Sequence, residues 1–275
     1  MYQFPTFSNA INYARDLLRI APVVHSGYWQ GVDIRKMPEA ATHEVMHYSF
    51  RVPMSHGHHL VKYREDIKPD IPWADDHFEE RVSGVPLNPS PSEAWWPHAP
   101  AGQGNSKFMK DYGDGKPCFS HTYPERMWPK PNAMHGQRFP YGDLDDVVST
   151  IVEDPYTRQA FLPIWWPEDG NAGVKERKPC TLGYHFITRL DNAAGIPRLD
   201  ITYYIRSCDY AKHFRNDIYM TVRLALWVIQ RARELSLKVD AESRDYLWNL
   251  EPGKFLMHIT SLHLFRNDYI QTFGA

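Results

Sequence analysis

RLDITYYIRSCDYAKHFRND, residues 198–217, is the stretch that decides the fold. Residues 198–206 alternate apolar and polar side chains, a pattern of period two that predicts a half-buried β-strand. The alternating apolar side chains are Leu199, Ile201, Tyr203 and Ile205. Residues 217–237 then form an apolar run with a basic end, which predicts a buried helix with cations near its C-terminus. A sheet packed on a central helix is therefore expected.

Two more strands are predicted beside this one. Residues 181–189 resemble a strand, and a turn at 191–197 joins them to 198–206, which predicts a hairpin in an antiparallel or mixed sheet. Residues 255–265 predict a third strand, whose period of two places four side chains on one face. Those side chains are Ile259, Ser261, His263 and Phe265.

The remaining chain is less regular. Twelve of the 22 prolines fall between Pro69 and Pro140, so regular elements there must be short. We interpret residues 52–134, approximately, as an insertion packed on the core of a single domain spanning residues 1–275. An amphipathic helix is predicted within residues 1–20, and another helix over residues 144–152.

Composition excludes several classes of protein. The net charge of −2 makes a general binder of nucleic-acid backbones improbable on electrostatic grounds, and 43% hydrophobic residues exclude disorder, collagen and coiled coil. The most apolar stretch, residues 218–229, contains Arg223, so no run approaches the roughly 18 apolar residues of a membrane span. Because residues 1–20 also lack the apolar segment of a secretory signal, we expect a cytoplasmic protein.

The three cysteines, Cys118, Cys180 and Cys208, are too widely spaced for a disulfide framework or a paired zinc motif. Cys180 follows a basic stretch that includes Arg177 and Lys178, and cationic neighbours lower a thiol pKa and make it more reactive. The alternative is a small buried core residue.

Two further clusters have more than one interpretation. Arg206 and Ser207 end the strand, where they form either a phosphate grip or an ordinary strand end. The cluster His56-Gly57-His58-His59, with acidic residues downstream, indicates either a metal site or a solvated loop. It lacks the helical i, i+4 histidine pair of zinc hydrolases, so no metal ligand is predicted.

Five segments in one order resemble motifs of the thymidylate synthase superfamily. They are residues 43–48, 154–158, 179–180, 206–209 and 261–265. The segment Arg206-Ser207-Cys208-Asp209 matches the family's phosphate and folate signature letter for letter. The resemblance implies an α+β fold in which a mixed or antiparallel sheet packs on helices around a central buried helix, and a symmetric homodimer formed across the sheet.

The resemblance assigns a mechanism. Residues 43–48 are similar to the family's helix that carries its catalytic glutamate, here Glu44, and Cys180 stands at the nucleophile position. Cys180 would add to C6 of a pyrimidine, and C5 would then take the one-carbon unit of 5,10-methylenetetrahydrofolate. Water addition gives a hydroxymethyl product, whereas hydride transfer gives a methyl product, and the sequence does not separate these two outcomes.

The resemblance also assigns binding roles. The cofactor residue it implies is Asp209. The implied nucleotide ligands are Arg206, Ser207, Arg158 reaching the partner subunit's site, Asn216, Asp217, His263 and His135. Phe265 stands where the family has a sugar-binding tyrosine and Gln159 where it has a second phosphate arginine. Residues of the insertion, among them Arg64 and Trp95, are candidates to replace missing contacts.

The residue type at position 217 indicates which pyrimidine base the substrate carries. Thymidylate synthases carry an asparagine eight residues after the signature aspartate, and it pairs with uracil. An ionised carboxylate only accepts hydrogen bonds, so it fits the amino group and protonated N3 of cytosine. An unpaired buried group costs about 1 to 3 kcal/mol, or roughly 10- to 100-fold in discrimination. Residues 214–217 also resemble those of phage deoxycytidylate hydroxymethylases, which implies dCMP as substrate and Asp217 as a catalytic residue; a helix N-cap is the alternative for Asp217.

Other activities stay open on the sequence. A deoxycytidylate methylase shares the fold and the first chemical steps, and CMP or dUMP are alternative substrates. A non-catalytic nucleotide-binding relative and a zinc hydrolase built on His56 are more distant alternatives.

Overall fold

The computed structural model describes residues 1–24, 27–29, 32–99, 109–113, 115–130, 142–171 and 177–274. Its strands are β1 (Tyr2–Gln3), β2 (Val23–Val24), β3 (Tyr28–Trp29), β4 (Val32–Asp33), β5 (Thr42–Pro53), β6 (Lys110–Asp111), β7 (Pro117–Cys118), β8 (Phe161–Pro163), β9 (Thr181–Asp191), β10 (Ile196–Asp209) and β11 (Glu251–Phe265). Its α-helices are α1 (Phe7–Ile20), α2 (Leu60–Ile67), α3 (Trp73–Arg81), α4 (Tyr123–Met127), α5 (Leu144–Glu153), α6 (Phe214–Leu235), α7 (Ala241–Trp248) and α8 (Arg266–Phe273).

One mixed sheet of seven strands organises these elements. Its order is β1-β5-β11-β10-β9-β8, with β2 beside β5, while β3–β4 and β6–β7 are separate two-stranded pairs. Strands β9 and β10 form the predicted antiparallel hairpin, and β10 runs parallel to β11. The expected α+β class with a mixed sheet is confirmed.

Helix α6 is the predicted central buried helix. It packs on β10 and β11 and is flanked by α2, α3, α5 and α7. The helix begins at Phe214, and the backbone N–H of Asp217 donates to the carbonyl of His213 at 2.7 Å. Asp217 therefore lies inside the first helical turn, and the alternative assignment of Asp217 as an N-cap is wrong.

The prediction of a helix over residues 43–48 is wrong, because these residues belong to β5. Strand β5 pairs antiparallel with β11 along most of its length. Val45 packs against the core, and so do Tyr48, Phe50 and Val52. His47 has a positive φ of 57° and is skipped in the pairing with β11, and the alternation of buried side chains shifts by one residue there. That break in period two hides the strand in the sequence.

The same interruption in pairing corrects the predicted face of β11. The pairing of β11 skips Thr260 with both neighbouring strands. Ile259 consequently faces the core and is buried, whereas Ser261, His263 and Phe265 point to the other side. The rings of His263 and Phe265 lie 5.4 Å apart, as their shared face predicts.

Residues of the predicted insertion contribute to the core. Tyr63, Trp73 and Trp128 are buried in it, and α2 and α3 both contact α6. The insertion and its boundaries stay predictions. No helix in the described ranges is long and apolar enough to cross a membrane.

Candidate active site

The end of β10, the start of β9 and the first turn of α6 meet around Cys180. Cys180 directly precedes β9, Cys208 and Asp209 end β10, and Asp217 projects from α6. Burial raises the pKa of both cysteine thiols, and the negative charge of Asp217 raises them further, so the carboxyl lies within electrostatic reach of each. The structure thus brings the predicted nucleophile and the predicted base-reading residue into one buried cluster.

The predicted depression of the Cys180 pKa is wrong. Burial raises the pKa of the thiol, and the charges of Arg206 and Arg177, which lower it, do not overcome that penalty. The basic residues are present as the sequence indicated, but the desolvation created by packing is not visible in the sequence. The thiol therefore needs help from its surroundings to ionise.

Arg206 holds the segment that carries Cys180. Its guanidinium donates to the carbonyls of Pro179 at 2.8 Å and Lys178 at 3.0 Å, and its backbone N–H donates to the carbonyl of Cys180 at 2.9 Å. The predicted phosphate residue is therefore also a clamp on the nucleophile loop. Ser207, the next residue, lies opposite Ser261 in the sheet.

Asp217 is buried, and its pKa is raised to about 7, chiefly by that burial. The Arg81 charge and a hydrogen bond from the Cys208 thiol, with Sγ 3.6 Å from Oδ2, oppose the rise. A carboxyl that titrates near neutral pH can give or take a proton at little cost, which suits general acid–base work.

Arg81 is a pocket residue that the sequence reasoning missed. It ends α3 and is 4% exposed, and its guanidinium lies 4.1 Å from the ring centroid of Tyr123. The Tyr123 hydroxyl accepts a hydrogen bond from Thr181, the neighbour of Cys180, at 3.1 Å. Arg81 stands in a charged, amphipathic stretch with no distinguishing motif, so only the fold identifies it.

Glu44 lies away from the Cys180 thiol, on the opposite face of the sheet from α6. Its carboxylate accepts a hydrogen bond from Ser261, and its strand position is paired with His263. Burial lowers the pKa of His263, while Asp209 and Glu44 oppose that shift. Glu44, Ser261 and His263 therefore form a polar group on the side where the sequence placed the sugar.

Asp209 caps the turn that follows β10. Its Oδ1 accepts from the backbone N–H groups of Ala211 at 3.0 Å and Lys212 at 3.3 Å. Burial raises its pKa, opposed by Lys212, whose ammonium also pairs with Asp268 at 2.8 Å and lies 4.9 Å from the Phe265 ring centroid. Phe265 thus serves as an apolar support for Lys212.

A cavity and an aromatic side chain near Asp209 bear on the expected folate. The cavity of about 340 Å³ is lined by Lys212, Phe265, Asp268 and Glu39, and the Lys212 ammonium there already pairs with Asp268 and Asp209. Nearby, Trp96 stacks on His213 with centroids 5.0 Å apart, and its buried indole N–H has no hydrogen-bond partner. An aromatic face with a free donor matches a flat heterocycle. The sequence singled out Trp95, which is exposed, whereas its neighbour Trp96 is half-buried.

The other predicted ligands have different positions. The Asn216 amide is occupied by Asp70, accepting from its N–H at 2.9 Å and donating to its carboxylate at 2.8 Å, so it ties α6 to the loop before α3. Arg158 is exposed just before β8, and its carbonyl accepts from His185 at 3.0 Å. His135 lies outside the described residues.

The histidine cluster does not converge. His56 lies 3.5 Å from Asp66, while His58 lies 3.3 Å from Glu251. In the part of the chain that the structure describes, no three His, Cys, Asp or Glu side chains are grouped as for a metal ion. The three cysteines are free.

Comparisons with known proteins bear on the fold and the relationship. No family model matches the chain. Over 168 residues it is 29% identical to the deoxyuridylate hydroxymethyltransferase of Bacillus phage SP01, a match that takes in 60% of this chain and only 38% of that protein's length. The crystal structure of thymidylate synthase from T4 phage superposes with a TM-score of 0.58 at 17% identity, over 95% of this chain and 78% of that one. The fold is that of thymidylate synthase.

Proposed function

The chain is a relative of the thymidylate synthase superfamily, and from this we propose that it transfers a one-carbon unit to C5 of a pyrimidine deoxynucleotide. One observation carries the proposal: the free thiol of Cys180 lies within electrostatic reach of the buried Asp217 carboxyl, whose pKa burial raises to about 7. A nucleophile beside a neutral-range acid is what conjugate addition to a pyrimidine requires.

Cys180 starts the reaction. Its thiolate forms a bond to C6, and the electron pair of the C5–C6 double bond moves to C5 and on to the carbonyl or amidine at C4. Asp217 would supply a proton to that side of the ring and take it back. After C5 has gained its substituent and lost its proton, the sulfur leaves and the double bond re-forms.

5,10-Methylenetetrahydrofolate would supply the carbon, held by Asp209, Lys212 and Trp96. The hydroxymethyl product arises when water adds to the exocyclic methylene at C5, whereas a hydride would give methyl. The sequence similarity to a hydroxymethyltransferase supports the first product. Glu44, predicted as catalytic, would act through Ser261 and His263 at the sugar side.

Two bases are candidates. Ionised Asp217 fits dCMP, because a carboxylate accepts from the cytosine amino group. The second candidate is dUMP, supported by the similarity to a deoxyuridylate enzyme and by the raised pKa of Asp217, because a protonated carboxyl can also donate to a carbonyl.

Arg206 and Ser207 would bind the 5′-phosphate together with Arg158 of a second copy. The sheet face opposite α6 carries half-buried aromatic side chains, with Tyr204 stacked on His258 at 5.3 Å and Phe161 42% exposed. A second copy packed on this face would cover them, and each site would borrow the exposed Arg158 from its neighbour. Mixing inactive Cys180→Ser and Arg158→Ala chains should restore up to about a quarter of the activity if the site is shared.

The test is product analysis. The protein is incubated with methylenetetrahydrofolate and either dCMP or dUMP, and the nucleotide mass and the absorbance of dihydrofolate are followed together. A gain of CH2O without dihydrofolate supports hydroxymethyl transfer. A gain of CH2 with dihydrofolate supports the methylase, and no change with any pyrimidine nucleotide would refute the enzyme.

A further inference from the structure

Arg81 is a buried cation with unused hydrogen-bonding capacity. It is 4% exposed, and its Nε has no hydrogen-bond partner. The backbone at the end of α3 is fixed, because the Trp128 indole donates to the Arg81 carbonyl at 2.8 Å. A buried guanidinium that keeps a free donor is costly unless a ligand completes it.

The guanidinium lies close to the nucleophile segment, because it stacks on Tyr123 at 4.1 Å and the Tyr123 hydroxyl accepts from Thr181, the neighbour of Cys180, at 3.1 Å. Burial raises the pKa of Asp217 and of Tyr123, and the Arg81 charge opposes both shifts, so Arg81 lies near both groups. Within the described residues, Arg81 and Asp217 form no ion pair at 4.0 Å or less. Arg81 and Asp217 thus influence each other electrostatically without a direct ion pair.

We propose that Arg81 donates to the carbonyl O4 of uracil while Asp217 accepts from N3–H, so that this pair makes the site specific for dUMP. The inference rests on the proposed function and names its base. Uracil presents an acceptor and a donor on neighbouring positions, which match one guanidinium and one carboxylate. Cytosine presents an amino donor at C4, which would face the guanidinium donor directly.

The same contact assists the chemistry. When the Cys180 sulfur bonds to C6 of uracil, the displaced electron pair delocalises onto O4, and negative charge develops there. A guanidinium already in place beside O4 stabilises that charge without reorganisation. Arg81 therefore acts on specificity and on the addition step through one hydrogen bond.

The experiment compares kcat/KM for dUMP and dCMP, with methylenetetrahydrofolate, in the wild type and in Arg81→Gln. We expect the dUMP-to-dCMP ratio to fall by about 10- to 100-fold in the variant. Arg223→Gln is the matched control, since Arg223 stacks on Phe78 of the same helix α3 at 4.2 Å, outside the pocket. Its ratio should stay within about 2-fold of the wild type.

Adding Asp217→Asn to Arg81→Gln should recover dUMP binding in calorimetry, because the amide itself can donate to O4. An unchanged ratio in folded Arg81→Gln, or no recovery in the double variant, overturns the proposal. If Arg81→Gln does not fold, Arg81→Lys takes its place. It keeps the charge but loses the fork geometry, and the ratio should fall by about 3- to 10-fold.

Calorimetric binding of each nucleotide alone separates this proposal from the proposed function. A wild type that turns over neither nucleotide yet binds dUMP better than dCMP, with the preference lost in Arg81→Gln, refutes the transferase and supports Arg81. A wild type that hydroxymethylates dCMP in preference to dUMP supports the transferase and overturns the assignment of Arg81.

Discussion

The thiol of Cys208 donates a hydrogen bond to the carboxyl of Asp217, with Sγ 3.6 Å from Oδ2, across the interface of β10 and α6. Cys208 is the third residue of the segment Arg206-Ser207-Cys208-Asp209. Its flanking residues face the predicted phosphate and folate sides, while Cys208 itself is buried against the base-reading residue. The last four residues of β10 thus connect the predicted phosphate, base and folate regions of the site.

Replacing Cys208 tests this contact. The thiol stabilises the charged form of Asp217, so Cys208→Ala should raise the pKa of Asp217 above its present value of about 7. In a plot of kcat/KM against pH, the limb that follows the ionisation of Asp217 should move to higher pH. Cys118→Ala, in the β6–β7 hairpin, is the control and should leave the profile in place; identical profiles for both variants would rule out the contact.

Asp217 should also make the fold less stable as the pH rises. In the unfolded chain the carboxyl ionises near 3.8, whereas in the folded chain it holds its proton up to about 7. Between those values the folded state binds more protons, so this group's contribution to the free energy of unfolding falls as the pH rises, and the fall ends above about 7. Asp217→Asn removes this loss, so the variant should gain stability over the wild type between about pH 5 and about pH 8.

Urea unfolding at both pH values measures that difference. We expect a gain of a few kcal/mol for Asp217→Asn relative to the wild type at the higher pH. A constant difference between the two proteins would show that Asp217 ionises normally in the folded chain.

Arg206 should control the reactivity of Cys180. Its charge lowers the pKa of the buried thiol, and its guanidinium holds the preceding carbonyls. In Arg206→Gln, alkylation of Cys180 by iodoacetamide at mildly alkaline pH should slow several-fold, because the thiolate fraction drops. Arg206→Lys keeps the charge and should react at close to the wild-type rate; equal slowing in both variants would point to loop geometry and not to charge.

The ion pair between Arg126 and Asp169 should stabilise the loop before β9. Both guanidinium N–H contacts measure 2.9 Å, and the two side chains are about nine-tenths buried. Arg126→Met leaves a buried carboxylate without its partner and should cost about 3 to 5 kcal/mol in urea unfolding. Arg231→Met breaks the more exposed pair with Asp145 and should cost no more than about 1 kcal/mol. Similar costs would contradict the structural role of Arg126.

The secondary-structure elements that were predicted correctly from the sequence are those whose hydrophobic pattern has an unbroken period. Strand β10 and helix α6 keep a regular pattern over long stretches, and the hairpin turn between β9 and β10 is marked by Gly195, whose φ is 66°. Strand β5 was missed because the interruption at His47 breaks its alternation, and Ile259 was assigned to the wrong face because pairing skips Thr260. A change of phase by one residue reverses every later side chain, and no glycine or proline marks either position.

The site residues that lie in recognisable motifs were predictable from the sequence. Cys180, Arg206 and Asp217 come together because their segments end at one edge of the sheet. Burial decided the remaining features: it raises the pKa of Cys180 against its basic neighbours and places Arg81 in the pocket. These effects depend on long-range packing between α3, α4 and α6, which no local pattern records.

The central claim is that the Cys180 thiolate adds to C6 of a pyrimidine nucleotide. Addition makes the hydrogen at C5 exchangeable, so release of tritium from 5-tritiated dUMP and dCMP into water reports this step directly. The account predicts release by the wild type and by Cys118→Ser, and a loss of at least about 1,000-fold in Cys180→Ser with the fold intact. Release that persists in Cys180→Ser, or its absence from the wild type with both nucleotides, would contradict it.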